Sequence, residues 1–255
     1  MKNLFLLLIF IGAFIINANA QPPKFDDLVV LFADGNYAKL LKKAENYTQS
    51  DKTKKNPIPY LYLSKANYEI AREGGDLLKK YPKAGRDALK YAGKCISKDK
   101  DGTVYKENLA YFTTLKSGII EEIRNLVETG EWSKVSGKLL AIKKVDKDDI
   151  GQHYLAAALA YHTKDRKKFV SEAKLAEEML KNANPSKFTI NEDDDVDINE
   201  KKKADLEMLK IGVMAYADAL VLSKQTPAAK DLLGKVAQWY EKDEEFKAKY
   251  DEIVN

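Results

Sequence analysis

Cysteine, histidine and catalytic signatures are nearly absent from this sequence of 255 residues. Cys95 is the only cysteine, so no disulfide can form within the chain, and stability must come from packing. The two histidines, His153 and His162, lie nine residues apart, so on one helix their rings point to nearly opposite faces and cannot share a metal ion. No HExxH, Cys-x-x-Cys, Gly-x-Ser-x-Gly or phosphate-binding glycine loop occurs. The sequence therefore predicts no cofactor and no catalytic role.

Long apolar runs are also scarce, and the one that occurs lies at the amino terminus. Residues 4–16 follow Lys2 and precede Ala18-Asn19-Ala20, which is the pattern of a secretory signal peptide with its cleavage motif. The run is shorter than the roughly 20 residues that span a bilayer. We expect cleavage after Ala20 and no transmembrane anchor in the mature chain; a retained amino-terminal anchor is the alternative. The predicted location is the periplasm, the extracellular space or the cell envelope.

Neither positive nor negative charge dominates, because the sequence contains 43 basic and 39 acidic residues. Without residues 1–20, the chain has 235 residues and a net charge of +3, spread as mixed-sign pairs. Nucleic-acid binding usually needs a basic patch, so we predict no nucleic-acid partner. We predict that residues 21–255 form one domain whose core is large enough to be stable.

Strand-like alternation is rare, whereas apolar residues recur at helical spacing from residue 25 onward. The longest stripe predicts one helix from about Val104 to Glu128. A stripe of small and aromatic residues near 154–161 allows close helix approach. The three clearest stripes are Tyr105, Leu109, Phe112, Leu115, Ile119, Ile123 and Leu126; Leu206, Leu209, Val213, Tyr216 and Leu220; and Tyr154, Ala157, Ala158 and Tyr161. We therefore predict an all-α protein of about ten helices, with Cys95 in its core.

Glycine and proline are few and stand between the predicted helices. Gly35, Gly74 and Gly130 each follow an apolar helix end, where glycine readily adopts the left-handed conformation. Pro82 and Pro227 stand where a new helix would begin, a position that tolerates the missing N–H. The chain therefore reads as helices joined by short turns.

One such connector has some features of a calcium loop. In a twelve-residue frame that starts at Ser97, Asp99 and Asp101 occupy positions 3 and 5, and glycine occupies position 6. Serine at position 1 and Asn108 at position 12 replace two acidic ligands. We expect a solvated turn here, with calcium at Asp99 and Asp101 as the alternative.

Residues 182–203 depart from the helical pattern. They contain few apolar residues and five carboxylates within 192–197, among them Asp193, Asp195 and Asp197. A loop of this length is usually functional or disordered. We predict a flexible acidic loop, with weak cation attraction at these aspartates as the alternative.

Two segments repeat each other. LFADGNYAKLLKKAENY (31–47) and LVETGEWSKVSGKLLAI (126–142) share a leucine, a Gly-x-aromatic turn and an apolar helix. Helices with small and aromatic residues, YLYLSKANY (60–68) and HYLAAALAY (153–161), precede weaker copies. This pattern resembles the tetratricopeptide repeat, although the aromatic residues Tyr37, Tyr81, Trp132 and Phe169 are 44, 51 and 37 residues apart, against about 34 in the regular repeat.

The resemblance implies four to five helical hairpins stacked as a right-handed α-solenoid, because one hairpin cannot bury its apolar face alone. In that family, the first helices of the hairpins line a concave groove that binds a peptide or protein segment. Carried over to this chain, the groove positions are Lys65, Tyr68, Gln152, Leu159 and His162. The signal peptide also resembles those of exported proteins in Bacteroidota.

The leading functional prediction is an exported scaffold that binds another protein without catalysis. One alternative is a helical module that binds a small ligand or a glycan, which the 14 tyrosines favour. Another is a hydrolase that uses scattered carboxylates, although the sequence contains no carboxylate pair at a suggestive spacing.

Overall fold

The computed structural model describes residues 24–254, and every regular element in this range is helical, which confirms the predicted all-α class. The predicted signal peptide lies outside the described residues. Within them, no helix combines the length and the apolar character needed to span a membrane. The α-helices are α1 (Asp26–Ala33), α2 (Tyr37–Gln49), α3 (Ile58–Glu73), α4 (Gly75–Lys80), α5 (Ala84–Lys98), α6 (Thr103–Glu107), α7 (Leu109–Glu128), α8 (Trp132–Val145), α9 (Ile150–His162), α10 (Arg166–Asn182), α11 (Val196–Leu222), α12 (Thr226–Val236) and α13 (Glu244–Val254). Short 3-10 helices follow α10 (Pro185–Phe188) and α12 (Ala237–Trp239).

Helices that are close in sequence pack in pairs: α1 with α2, α3 with α5 (the short α4 lies between them), α7 with α8, α9 with α10, and α11 with α12. Four of the five pairs are joined by the same turn. In the first, Gly35 N donates to Phe32 O (3.0 Å) and Asn36 N donates to Leu31 O (2.9 Å), the two bonds of a Schellman motif. The left-handed residues of the four turns are Gly35, Gly130, Lys164 and Lys224, with φ of 66°, 70°, 60° and 63°. The two glycine turns were predicted, and the two lysine turns were not.

The predicted apolar stripes face the interior. In α7, Phe112, Leu115, Ile119 and Ile123 are all buried. The long helix predicted over 104–128 is interrupted at Asn108, whose φ of −121° ends α6 and whose side-chain Nδ2 donates to Val104 O (2.9 Å). The stripe continues across this break because α6 and α7 pack on the same core.

The longest helix, α11, lies at the centre of the C-terminal half. It packs against α7, α9, α12 and α13, whereas a simple solenoid repeat contacts only its neighbours. The crossing of α9 and α11 is close because glycines meet there: a Cβ added at Gly151 would overlap the Met208 carbonyl, and one at Gly212 would overlap Gly151. The small residues of the 154–161 stripe lie on the same helix as this contact.

The acidic segment 182–203 contains more helix than predicted. Pro185–Phe188 form a 3-10 helix, and residues 196–203 are the first turns of α11. Asp195 begins that helix by accepting a hydrogen bond from Asp197 N (2.8 Å), and Phe188 is buried in the core. The physical reason is N-capping by aspartate, which starts a helix inside a charged segment. The predicted flexibility of the segment stays a prediction.

Candidate functional site

Lys65 and Tyr68, predicted to face the groove, lie on the side of α3 that faces α7. Lys65 Nζ donates to Asn108 Oδ1 (2.8 Å) and lies 5.5–5.9 Å from the centroids of the Phe32, Tyr62 and Tyr111 rings. Burial lowers the pKa of Lys65. Three cation–π contacts and one hydrogen bond to an amide oxygen therefore replace the carboxylate partner that a buried lysine usually has.

Tyr68 lines a groove between α3, α7 and the first turns of α11, which we call the Tyr68 groove. Its ring meets Tyr111 edge to face at 5.9 Å, and the Tyr111 hydroxyl is 2.7 Å from Ser64 Oγ. The groove has a volume of about 430 Å³. Its lining residues are Tyr68, Ala110, Thr113, Thr114, Ser117, Gly118, Glu121, Asp197 and Glu200. At its base, Thr113 Oγ1 is buried and has no hydrogen-bond partner among the described residues.

The other predicted groove residues lie elsewhere. Gln152 and Leu159 are buried, so they offer no surface to a partner in the folded chain, and their predicted role is wrong. The reason is that α9 is packed among α8, α10 and α11, which leaves it few open positions. His162 is exposed and stacks on Trp132 with ring centroids 4.0 Å apart. The structure therefore brings Lys65 and Tyr68 together but not the full predicted set.

The most concentrated electrostatic feature is a buried cluster around Lys116 of α7. Lys116 Nζ lies 2.8 Å from Asp146 Oδ2, 2.5 Å from Asp149 Oδ2 and 2.6 Å from Asp205 Oδ1. Lys201 Nζ contacts the other oxygen of Asp205 at 2.7 Å. We call these five residues the Lys116 cluster. It joins α7, the α8–α9 connection and α11 through one ammonium group.

Local structure aligns the carboxylates. Asp149 caps α9 by accepting a hydrogen bond from Gln152 N (2.8 Å) through Oδ1, which directs Oδ2 at the ammonium. Asp149 Oδ2 has Lys116 as its ion-pair partner but accepts no well-directed hydrogen bond. Gln152 is buried beside them, and its Nε2 donates to the carbonyls of Asp146 (3.3 Å) and Lys147 (3.1 Å). Gln152 therefore holds the connection in place from the inside.

The charges of the cluster shift its pKa values in different directions. Burial alone would lower the pKa of Lys116, but the three carboxylates outweigh it and hold that pKa well above its usual range. Burial raises the pKa of Asp149, although Lys116 acts in the opposite direction. For Asp146, the charges of Lys116 and Lys201 outweigh burial and lower the pKa. Three aspartates and two lysines leave the cluster a formal charge of −1.

The same carboxylates form the one group of three potential metal ligands within residues 24–254, with oxygens of Asp146, Asp149 and Asp205 within 4.8 Å of one another. The Lys116 ammonium contacts all three oxygens and so occupies the position that a metal ion would need. The carboxylates and Lys116 are also nearly inaccessible to solvent, with side-chain exposures of 1–12%. Such an arrangement ties helices together, and it offers a substrate no reactive group.

A second ion network extends this connection toward the C-terminus. Lys210 Nζ of α11 lies 2.9 Å from Asp243 Oδ2 and 2.7 Å from Glu245 Oε2. Arg124 of α7 contacts Glu207 and, at 3.1 Å, Glu245. Asp243 also caps α13 by accepting from Phe246 N (2.9 Å). Basic residues of α7 and α11 thus hold the start of α13.

The calcium candidates near residue 100 serve as helix caps. Asp99 accepts hydrogen bonds from Val104 N (3.3 Å) and Tyr105 N (2.7 Å), and Asp101 accepts from Thr103 N (3.0 Å). Both carboxylates therefore satisfy the free N–H groups at the start of α6.

The candidates in the acidic segment make similar local contacts. Asp195 caps α11, as described above. Asp193 N donates to Asn191 Oδ1 (3.2 Å), and Asp197 lies in the rim of the Tyr68 groove. Among the described residues, Asp193, Asp195 and Asp197 do not form a group of three potential metal ligands whose oxygens lie within 4.8 Å of one another, as the carboxylates of the Lys116 cluster do.

The contacts of Cys95 and His153 indicate structural roles for both residues. Cys95 is fully buried in the core, as predicted, and burial raises the pKa of its thiol to about 12, so it stays protonated and unreactive near neutral pH. His153 Nδ1 lies 2.7 Å from Glu172 Oε2 and links α9 to α10. The histidines are therefore engaged in separate contacts.

The chain was compared with protein-family profiles, curated proteins and solved structures, and none of them matches it.

Proposed function

We propose that the protein is a non-catalytic scaffold of tetratricopeptide-like helical hairpins that binds an extended segment of another protein in the Tyr68 groove. The observation that carries the proposal is the position of this groove. It lies where the first helices of the second, third and fifth packed pairs, α3, α7 and α11, come together. The recurring turn of four hairpins supports the likeness to a repeat array.

The lining of the groove favours a basic partner segment. Glu121, Asp197 and Glu200 are exposed along its rim; Glu200 pairs with Lys203 at 2.7 Å, and none of the described residues that line the groove is basic. Tyr68 adds an aromatic surface, while the small residues of α7 let a backbone approach closely. Charge complementarity of this kind speeds association and selects partners, and salt weakens it. An extended segment rich in lysine or arginine is therefore the expected ligand.

The carboxylates of the Lys116 cluster do not favour the hydrolase alternative. They are buried and paired with Lys116 and Lys201 instead of facing a substrate. A catalytic carboxylate pair needs access to the reacting atoms.

Defined peptides test the groove. We would measure the fluorescence anisotropy of labelled (Lys-Ala-Pro)₄, (Glu-Ala-Pro)₄ and (Ser-Ala-Pro)₄, because proline keeps all three extended. The basic peptide should bind most tightly, and its affinity should fall as salt is raised. Tyr68→Ala and Glu121→Lys should each weaken it.

Glu45→Lys is the matched control, since Glu45 is exposed on α2 outside the groove. Equal binding of the three peptides, or an equal loss in the Glu45→Lys variant, would contradict the proposal. Pull-down from an envelope extract with the same variants would then identify the natural partner.

The proposed compartment depends on residues 1–20. Export with cleavage after Ala20 predicts a mature protein that begins at Gln21. Intact mass measurement of the protein recovered from the envelope fraction tests this. A mass that includes residues 1–20 would argue against cleavage.

A further inference from the structure

A larger cleft lies between the C-terminal half of α10 and the end of α12 with its following 3-10 helix. Its volume is about 940 Å³, within the roughly 300–1,000 Å³ typical of small-molecule sites. Tyr154 of α9 lies at its base and Trp239 in its wall. We call it the Tyr154 cleft. Its lining shares no residue with the Tyr68 groove.

The base of the cleft presents an unsatisfied polar group. Tyr154 is fully buried, and its hydroxyl has no hydrogen-bond partner among the described residues. A buried hydroxyl without a partner is unfavourable, so a group that enters the cleft gains by meeting it. Burial raises the pKa of Tyr154, with Glu177 and Asp231 adding to the shift, so the hydroxyl stays neutral and can accept a hydrogen bond.

The surroundings of this hydroxyl favour a positively charged group. Glu177 and Glu178 line the cleft. The C-terminal end of α10, where the helix dipole is negative, opens on it at Asn182. The indole of Trp239 is only partly exposed and packs on Phe188 with ring centroids 4.7 Å apart, so it is fixed in position. Carboxylates, a helix C-terminus and an aromatic face each stabilise an ammonium group.

The rim of the cleft adds groups for a negative charge. Lys174 and Lys181 are exposed there and make no ion pair within the described residues. Lys235, the third lysine of the lining, is already paired with Asp231 at 2.5 Å. A ligand with an ammonium at one end and a carboxylate at the other would match both the base and the rim.

We propose that the Tyr154 cleft binds a short zwitterionic peptide, with the free amino terminus at Tyr154 and Glu177 and the carboxylate toward Lys174 and Lys181. The cleft has room for several residues, and Leu180, Pro185 and Trp239 supply apolar contacts for side chains. This site is separate from the groove for the partner protein, so either can exist without the other.

Isothermal titration with the twenty tripeptides Xaa-Ala-Ala tests the proposal, with the N-acetylated form of each as its comparison and maltotriose as an uncharged probe. At least one free tripeptide should bind, and acetylation should weaken it tenfold or more because the ammonium is lost. Binding of no tripeptide overturns the proposal. Equal binding of free and acetylated forms, or binding of maltotriose alone, also overturns it.

Two variants assign the binding to the cleft. Tyr154→Phe should weaken the tripeptide roughly 3–10-fold, the usual value of one hydrogen bond, without lowering Tm, since the hydroxyl has no partner in the free protein. Glu177→Gln should weaken it by a similar factor. Tyr91→Phe, in a partly buried tyrosine of α5, is the matched control and should bind normally. Unchanged affinity in both cleft variants would place the ligand elsewhere and refute the assignment.

Discussion

Replacing Lys116 by methionine tests how the C-terminal half is held together. Methionine keeps an unbranched side chain of similar length, so the main change is the loss of one charge. The formal charge of the Lys116 cluster then changes from −1 to −2. Asp149 and Asp205 have side-chain exposures of 1% and 2%, so water cannot replace the missing ammonium. We expect a large loss of stability.

The size of the loss follows from the geometry. The three carboxylate oxygens lie within 4.8 Å of one another. At an effective dielectric constant of about 20, two unit charges at that separation repel by roughly 3.5 kcal/mol. Proton uptake by Asp149 relieves part of this, because burial already raises its pKa. Removing one partner of a buried ion pair costs about 3–5 kcal/mol. For a chain of this size we expect Tm to fall by roughly 6–20 °C.

Urea denaturation followed by circular dichroism at pH 7 measures the loss. Lys79→Met is the control, because Lys79 pairs with Asp76 on the surface at 2.9 Å and should contribute less than about 1 kcal/mol. The double variant Lys116→Met/Asp149→Asn returns the cluster to −1 and should recover part of the loss. A cost below about 1 kcal/mol for Lys116→Met would refute the electrostatic argument. If the changes in the free energy of unfolding of Lys116→Met and Asp149→Asn simply add in the double variant, the electrostatic argument is refuted as well.

Three further predictions test the helix packing, a turn and an ion pair. Gly151→Ala should destabilise by about 1–3 kcal/mol or more because its Cβ overlaps the α11 backbone. Gly137→Ala, in the middle of α8 and with open space around the added Cβ, should instead stabilise by about 0.5–1 kcal/mol. Thermal melts that show the same sign of stability change for both variants would contradict the close crossing. Lys164→Gly should stabilise by about 1 kcal/mol in urea titrations, because the left-handed φ of 60° strains lysine; no gain would argue against that turn. Burial would raise the pKa of Asp243, but the hydrogen bonds from Lys210 and from backbone N–H groups outweigh burial and lower this pKa. The ionised Asp243 therefore stabilises the fold fully above its ordinary pKa of 3.8, and this contribution is lost as the pH falls through its lower pKa in the folded protein. The stability difference between wild type and Asp243→Asn should therefore be constant near neutral pH and shrink below about pH 4, and a difference that grows in acid would contradict the pair.

Helices could be predicted from the sequence because apolar spacing is a local signal. The stripe in α7 identified its buried face, and Gly35 and Gly130 identified two of the four shared turns. The turns at Lys164 and Lys224 could not be found in this way, because lysine gives no left-handed signal of its own. Their conformation is imposed by the helices that they join.

The Lys116 cluster was missed although one signal was present. Lys116 stands four residues after Phe112 and three before Ile119, so it falls on the buried stripe of α7. A lysine at such a position needs buried carboxylates. Two of them, Asp146 and Asp149, lie in the charged connector between α8 and α9, outside any apolar stripe. Which carboxylates would meet Lys116 depends on how α7, α9 and α11 pack, and that is not a local property.

The prediction for Gln152 and Leu159 failed for the same reason, because it also depended on how the helices pack. The repeat pattern places both residues on an open concave face, but α11 crosses α9 at Gly151 and Gly212 and is tied to α7 through Lys116. At this crossing, α9 and α11 lie too close to admit a peptide between them. Toward the N-terminus, α3 contacts α7 through Lys65 and the aromatic residues around it, and α11 reaches this region only with its first turns. The Tyr68 groove is therefore the part of the first-helix face that the glycine crossing and the buried charges leave open. Variants that loosen the crossing should alter stability before they alter binding there.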